Sequence, residues 1–485
     1  SGSEFGWRSG TGKWPNYYVD SLPEVANIGP GSPVGVDFGY GTKFPAKYQK
    51  ALYICDWTFG TMYAIHIEPD SASPSTYRAV KEEFVSRTPL PLTDCSVGTD
   101  GALYFTIGGR GAQSELFRVT YVGKDSTQPV DARDESAAKA MRTKRHGAEK
   151  SHVGAPDTAN VKDLVALLGS SDRAIRYAAR VGLERLPVSS WQDPVFAAAR
   201  QLSSPGDAAQ AAVNTVIHGC VGLARQAEPA LLPNILDTLG KLNFATMTDE
   251  QRLGALRAYQ LPFIRLGNPD EGTCRALGKK FDDLFPQQSD FVNRELAILM
   301  IHFQSPGAVK KLVPVLARER VASQEQIGDL LTRNKGYGGT IAAMLANQPD
   351  LQQYFYAFHL RNQKAGWTME DRKTYFAWFD KARGWSGGAS YIKFLNNIDR
   401  EAFESMPEAE RILVEASGAR KPYKAPELPK PTGPGKEYSL DELIELSKSS
   451  MKGRDFKNGQ KMYAAARCVV CHRFGGDRGA TGPDL

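Results

Sequence analysis

The sequence predicts a multidomain chain in three parts: β-propeller blades, then a HEAT-like α-solenoid, then the beginning of a small helical domain. Three observations carry this prediction. Aromatic and β-branched runs separated by short Gly-containing turns repeat in the first quarter. A D-x-x-x-R-x-x-A pattern recurs within a long stretch of helical periodicity. A C-V-V-C-H motif follows a Pro-rich spacer near the end. At 485 residues the chain exceeds what one hydrophobic core organises, and length alone suggests about three domains.

Residues 1–122 read as strands and turns. "ALYICDW" (Ala51 to Trp57) and "TMYAIHI" (Thr61 to Ile67) are echoed by "ALYFTIGG" (Ala102 to Gly109) and "ELFRVTYV" (Glu115 to Val122). A repeat of about 50 residues fits two terminal propeller blades, and because a ring takes about four to eight, further blades are expected upstream. Residues 123–156 are polar and aperiodic, as in a linker, and their basic run "MRTKRHGAEK" (Met141 to Lys150) is expected to be solvated.

The solenoid is expected over 157–420. Val161, Leu164, Val165 and Leu168 show i, i+3, i+4, i+7 spacing. Asp172, Arg176 and Ala179 recur as Asp290, Arg294 and Ala297, about three periods of ~40 residues further on. In this pattern the Asp can cap a helix, the Arg can brace adjacent repeats and the Ala permits close packing. The aromatic-rich end (Tyr354 to Trp385) reads chiefly as core. Prolines at 422, 426, 429, 431 and 434 make 421–438 an extended linker. Ser439 and Glu442 then form a capping box that opens the last segment, 439–485.

Composition narrows the functional classes. Sixty basic residues against 54 acidic ones leave a net charge of +6, too mild for a nucleic-acid binder. No apolar run reaches the roughly 18 residues of a membrane helix. The opening "SGSEFGWRSG" is not a signal peptide, so an export signal and the native start are expected upstream. Of six cysteines, Cys55, Cys95, Cys220 and Cys274 lack ligand-like spacing and read as buried thiols, a Cys55–Cys95 disulfide being the alternative.

The other two cysteines carry the chemistry. On a helix, Cys468 and Cys471 fall on one face, so both thiols can add to the vinyl groups of a haem, and His472 can reach its iron. A redox dithiol would need a thioredoxin-like βαβ pattern, and a zinc site a second ligand pair; neither surrounds the motif. Covalent haem c is therefore the expected cofactor, with His472 the metal ligand. The preceding "NGQKMYAAAR" forms the supporting helix, and Gly459 with Tyr463 offers a face for a crossing helix. The second axial ligand is expected beyond Leu485; Met451, Met462, His302 and His359 are the candidates within the chain.

The downstream "TGPDL" resembles class I cytochromes c. That resemblance implies a truncated cytochrome c-like α domain in which the Pro483 carbonyl accepts the His472 imidazole proton and Leu485 lies at the haem edge. Across its length the chain resembles large secreted membrane-bound dehydrogenase-type proteins of planctomycete and verrucomicrobial bacteria, which end in a haem-binding domain. "GSEFGWRSGTGKWPNYYVDSLP", "GYGTKFPAKYQKALYICDW", "HLRNQKAGWTMEDRKTYF" and "CVVCHRFGGDRGATGPDL" carry it. In that family the propeller resembles sorbosone and soluble glucose dehydrogenases, which use pyrroloquinoline quinone (PQQ) and calcium. Their catalytic residues come from blades outside this chain, so none is assigned. Arg110, Asp94 and Asp100 stand near such a mouth and read as loop and turn residues.

The expected function is an exported, periplasmic or extracytoplasmic haem c protein for electron transfer. Its other domains would bind a redox partner protein or a small-molecule substrate. Two alternatives remain: a PQQ-dependent sugar or polyol dehydrogenase feeding its own haem, and a binding scaffold with a secondary haem.

Overall fold

The computed structural model describes residues 15–28, 31–109, 111–133, 136–321, 347–385, 390–424, 427–432, 435–450, 453–470 and 472. The chain divides into two units, 1–309 and 310–485.

The first unit opens with a segment, 15–28, laid against helices described below. Seven strands follow: β1 (Pro33–Phe38), β2 (Leu52–Asp56), β3 (Thr61–Pro69), β4 (Tyr77–Ser86), β5 (Leu92–Val97), β6 (Leu103–Gly109) and β7 (Ala112–Val119). They form two antiparallel meanders, β1-β2-β3-β4 and β5-β6-β7. Period-2 alternation sets which side chains face inward. Tyr53, Cys55, Met62 and Ala64 of the first sheet share one buried core with Leu92, Cys95, Leu103, Phe105 and Ile107 of the second. At Gly35 a Cβ would stand 2.4 Å from the Asp94 Cα, so only glycine lets β1 approach β5 this closely.

This corrects the propeller expectation. Among the described residues the strands make two small sheets, with no closed barrel or ring of blades, and the second copy of the repeat has three strands rather than four. Strand periodicity reports a half-buried antiparallel sheet but not what covers it, and here each sheet covers the other.

Helix α1 (Lys139–Glu149) lies within the stretch expected to be linker. Two of its basic residues are withdrawn from solvent while Lys139, Lys144 and His146 stay exposed: Arg142 donates to Ser136 Oγ and stacks over the Tyr77 ring at 5.0 Å, and Arg145 donates to the Ser75 carbonyl at 2.6 Å. Arginine can bury its stem while its guanidinium finds carbonyls, which a count of charges does not reveal.

Next come α2 (Val161–Leu168), α3 (Arg173–Leu183), α4 (Gln192–Ala198), α5 (Asp207–Gln226), α6 (Leu232–Gly240), α7 (Asp249–Arg265), α8 (Glu271–Leu284) and α9 (Asp290–His302). Helices α3, α5, α7 and α9 lie side by side in order, with α2, α4, α6 and α8 packed against them in a solenoid-like array. Asp172 caps α3, accepting from Ala174 N and Ile175 N, and the same carboxylate takes Ser73 Oγ (2.6 Å), Ser75 N (2.8 Å) and Ser75 Oγ (2.7 Å) from the β3–β4 loop. Burial raises its pKa, but these donors outweigh burial and hold it below the usual value. Arg176 braces adjacent helices, donating to His218 Nε2 on α5 (2.9 Å), to the Ser170 and Ser171 carbonyls (both 2.8 Å) and to Glu250 on α7. At the recurrence the register shifts by one: Ser289, not Asp290, caps α9, its side chain accepting from Val292 N.

The segment at 15–28 is fastened to this array by a buried polar cluster. Asp20 pairs with Arg257 of α7 through two hydrogen bonds of 3.0 and 2.8 Å. Arg173 donates to the carbonyls of Asn16, Tyr18 and Ser21. Glu295 of α9 accepts from Tyr17 OH at 2.7 Å and Gln260 Nε2 at 2.6 Å. Val19 fits over Gly254, where a Cβ would meet its Cγ1 at 3.1 Å.

Burial pushes the Glu295 pKa up, only partly offset by its donors and by Arg257. A raised carboxyl pKa means stability present below the unfolded value of 4.5 and lost as pH rises through the folded one. The isosteric Glu295→Gln variant cannot titrate. Its stability deficit relative to wild type is therefore expected to shrink as pH rises from about 4.5, read by urea denaturation at several pH values. A deficit that stays constant or grows would refute the assignment.

Helix α10 (Gly307–Ala317) runs through the division between the units. In the second unit, α11 (Leu351–Leu360), α12 (Met369–Arg383), α13 (Tyr391–Glu404) and α14 (Glu408–Ala416) enclose the aromatic residues. Tyr375, Phe376, Trp378 and Phe379 are buried, and the two polar rings have partners: Tyr375 OH donates to the Ala357 carbonyl and Trp378 Nε1 to Gln353 Oε1. The described Pro-rich residues belong to no helix or strand, and α15 (Leu440–Ser450) and α16 (Phe456–Ala465) are the last α-helices among the described residues.

Candidate functional site

The C-V-V-C-H motif follows α16. Asp455 starts that helix, accepting from Lys457 N (2.9 Å) and Asn458 N (3.3 Å). The helix ends at Ala465, and Arg467 adopts a left-handed φ of 63°. The backbone then re-enters a single 3-10 turn at Cys468–Val470. The motif therefore lies on a separate turn rather than continuing the preceding helix. Arginine is an uncommon residue at positive φ, and no local sequence signal marks it for that role.

Within the turn, His472 N donates to the Cys468 carbonyl at 2.8 Å, which places the first cysteine and the histidine one helical turn apart. Both residues are half-buried. Cys471 and Pro483, the other two expected site residues, lie outside the described residues, so neither the second thioether nor the proline–histidine contact is placed. In the same unit, α15 exposes Leu440, Leu443, Ile444 and Leu446, and Phe456 and Val470 are also exposed. Of the residues described, Cys468 and His472, one helical turn apart, are of the types that hold a covalent haem.

The candidates for a second axial ligand are otherwise engaged. The thioether of Met462 accepts from Thr432 Oγ1 at 3.7 Å, a contact across the Pro-rich stretch that sequence reading missed. His359 is wedged between the Phe355 and Phe358 rings at 4.5 and 4.9 Å, and burial, with Arg361 adding to it, pushes its pKa down to about 4. His302, in the first unit, bonds Asn268 Oδ1 at 2.8 Å and stacks on Phe263. Met451 lies outside the described residues. Among the described residues no group of three or more His, Cys, Asp or Glu side chains is placed to hold a metal ion.

The polar residues of the sheets have structural roles. Asp100 accepts from Ala102 N (3.0 Å), Arg118 Nη2 (2.8 Å) and Tyr104 OH (3.0 Å), which draws its pKa down to about 2. Gly101 beside it has a φ of 84°, so the pair builds the β5–β6 turn. Asp94 Oδ1 accepts from Cys95 N at 2.9 Å. Arg110 lies outside the described residues. A surface groove of about 810 Å³ between α4 and α6 is lined by Asp193, Arg200, Asp237 and Lys241, opposite charges with no nucleophile–base pair among them.

Among the described residues no helix is long and apolar enough to cross a membrane. No family model, curated protein or solved structure matches the chain.

Proposed function

We propose that this chain is an exported c-type haem protein that transfers electrons, with the haem held at Cys468, Cys471 and His472. The observation that carries the reading is the shared turn of Cys468 and His472, closed by the His472 N to Cys468 O bond of 2.8 Å. Bound there, a haem supplies reversible one-electron exchange at its iron. Cys468 and Cys471 would form the two thioether bonds, and the His472 imidazole would face the iron. By the resemblance to class I cytochromes c, Pro483 would fix that ring's orientation, raising its basicity. Thioether attachment places assembly outside the cytoplasm. The resemblance to secreted haem-bearing proteins of the membrane-bound dehydrogenase type supports the same reading, apart from its propeller.

The test is attachment itself. After expression with export and a haem-attachment system, wild-type chain is expected to retain haem on a denaturing gel. Cys468→Ala and Cys471→Ala should each weaken that signal, and the double variant should abolish it. Haem retained by the double variant would end the proposal.

A further inference from the structure

We propose that Cys55 and Cys95 form a disulfide that joins the two β-sheets when the chain folds in an oxidising compartment. The compartment rests on the function proposed above; the placement of the thiols does not. Cys55 lies on β2 opposite Met62, and Cys95 on β5 opposite Phe105. Both are free thiols here, and both side chains enter the shared core, at 0% and 6% exposure; strands β2 and β5 pack on each other, and a Cβ on Gly35, which lies between the β1 residues paired with Ile54 and Asp56, would stand 2.9 Å from Cys95 N.

Independent contacts hold the two strands at this approach. β1 pairs with β2 through Val36↔Ile54 and Asp37↔Tyr53. The same Asp37 reaches across to β5, its Oδ2 accepting from Val97 N at 3.1 Å. Gly35 removes the side chain that would otherwise separate β1 from Asp94. The backbone on both sides is therefore pinned, so the sheets and not the cysteines themselves set how far apart the two side chains stand. Cys220 and Cys274 sit on helices α5 and α8.

The step is a thiol–disulfide exchange with an external disulfide, either a protein oxidant or oxidised glutathione. The thiolate of one cysteine attacks a sulfur of the oxidant and releases one thiol. The second cysteine attacks the mixed disulfide and releases the other. Cys55-SH and Cys95-SH lose two electrons and two protons, and the oxidant's disulfide becomes two thiols. Because the core seals the pair, exchange takes place while the sheets are still coming together, and the finished bond is shielded from reductants. It closes a loop of about 40 residues, a length at which a cross-link restricts the unfolded chain substantially.

Full-length exported protein, denatured without reductant, alkylated and digested, should give a Cys55 peptide joined to a Cys95 peptide. Recovery of both cysteines as alkylated free thiols, or joined to other partners, overturns the proposal. The same link should form when reduced, haem-free chain refolds with oxidised glutathione, so failure of haem attachment and failure of the disulfide are read separately. Breaking the link should lower the thermal midpoint by roughly 5–10 °C in wild type. Cys95→Ala should show no dependence on reductant, and a wild type equally indifferent to it would also refute the bond.

Discussion

Replacing Asp20 by alanine is expected to destabilise the first unit by about 3–5 kcal/mol at neutral pH, because it leaves a buried guanidinium without its carboxylate. The Arg257 and Asp20 side chains are only 10% and 11% exposed, so water cannot take over the lost role. Arg257 cannot easily swing out either, since it is held over the Tyr18 ring at 4.2 Å and contacts Gln260. The pH dependence has a definite sign. Burial raises the Asp20 pKa, but hydrogen bonds and charge from Arg257, with Arg180, outweigh it and the net shift is downward. A depressed carboxyl pKa contributes stability above the unfolded value of 3.8, lost as pH falls through the folded value. The Asp20→Ala deficit should therefore be largest at neutral pH and fade below about pH 4. The partner variant Asp20→Ala/Arg257→Met should recover part of the loss, because the second change removes the stranded charge. Urea denaturation followed by helical circular dichroism measures all three. An Asp20→Ala cost under about 1 kcal/mol would mean that the segment at 15–28 is not docked as described.

Arg176→Ala should cost about 2–4 kcal/mol through a different cause, the loss of several partners at once. One guanidinium serves His218, two carbonyls at the α2–α3 turn and Glu250, and its side chain is 4% exposed. Glu250 is about half exposed, so the ion pair itself contributes little and the stranded acceptors contribute most. His218 is fully enclosed, and burial together with the charges of Arg176, Arg180 and Arg173 keeps its pKa well below the usual value, so it stands neutral as an acceptor. Arg176→Lys keeps the charge but not the planar fork, and should recover only a minor part of the loss. Full rescue by lysine would show that charge, not the fork of hydrogen bonds, holds the helices.

Local signals were legible where one element carries its own reason. The helix periodicity at Val161–Leu168, the cap at Asp172, the Ser439–Glu442 box and the Asp100-Gly101 turn each depend on residues within about seven positions of one another. The role of Arg176 was legible as a type of contact, but not in its partners. Other features turned on facts that no window of sequence contains. Two strand-rich copies suggested propeller blades, yet alternation cannot say whether a sheet's buried face meets a third sheet, a ring axis or its own twin. Met141–Lys150 looked solvated because charge was counted, whereas Arg142 and Arg145 found acceptors in a loop about 70 residues away.

The candidate site divides along the same line. The proposed chemistry rests on residue types and spacing, two thiols three positions apart beside an imidazole. The left-handed Arg467, which separates the motif from α16, was not readable from them, since it depends on backbone conformation. What the sequence by itself determined is therefore the strand-rich and helix-rich character of its successive stretches and several of their caps and turns. Only the tertiary structure decided that the two sheets cover each other, that Cys55 and Cys95 share one core, and that Asp20 finds Arg257 across 237 residues of chain. The physical reason is that local order follows from dihedral preference and short-range hydrogen bonding. Long-range pairing follows from burial, where a charge or apolar face takes whichever complementary partner the folded chain brings within reach.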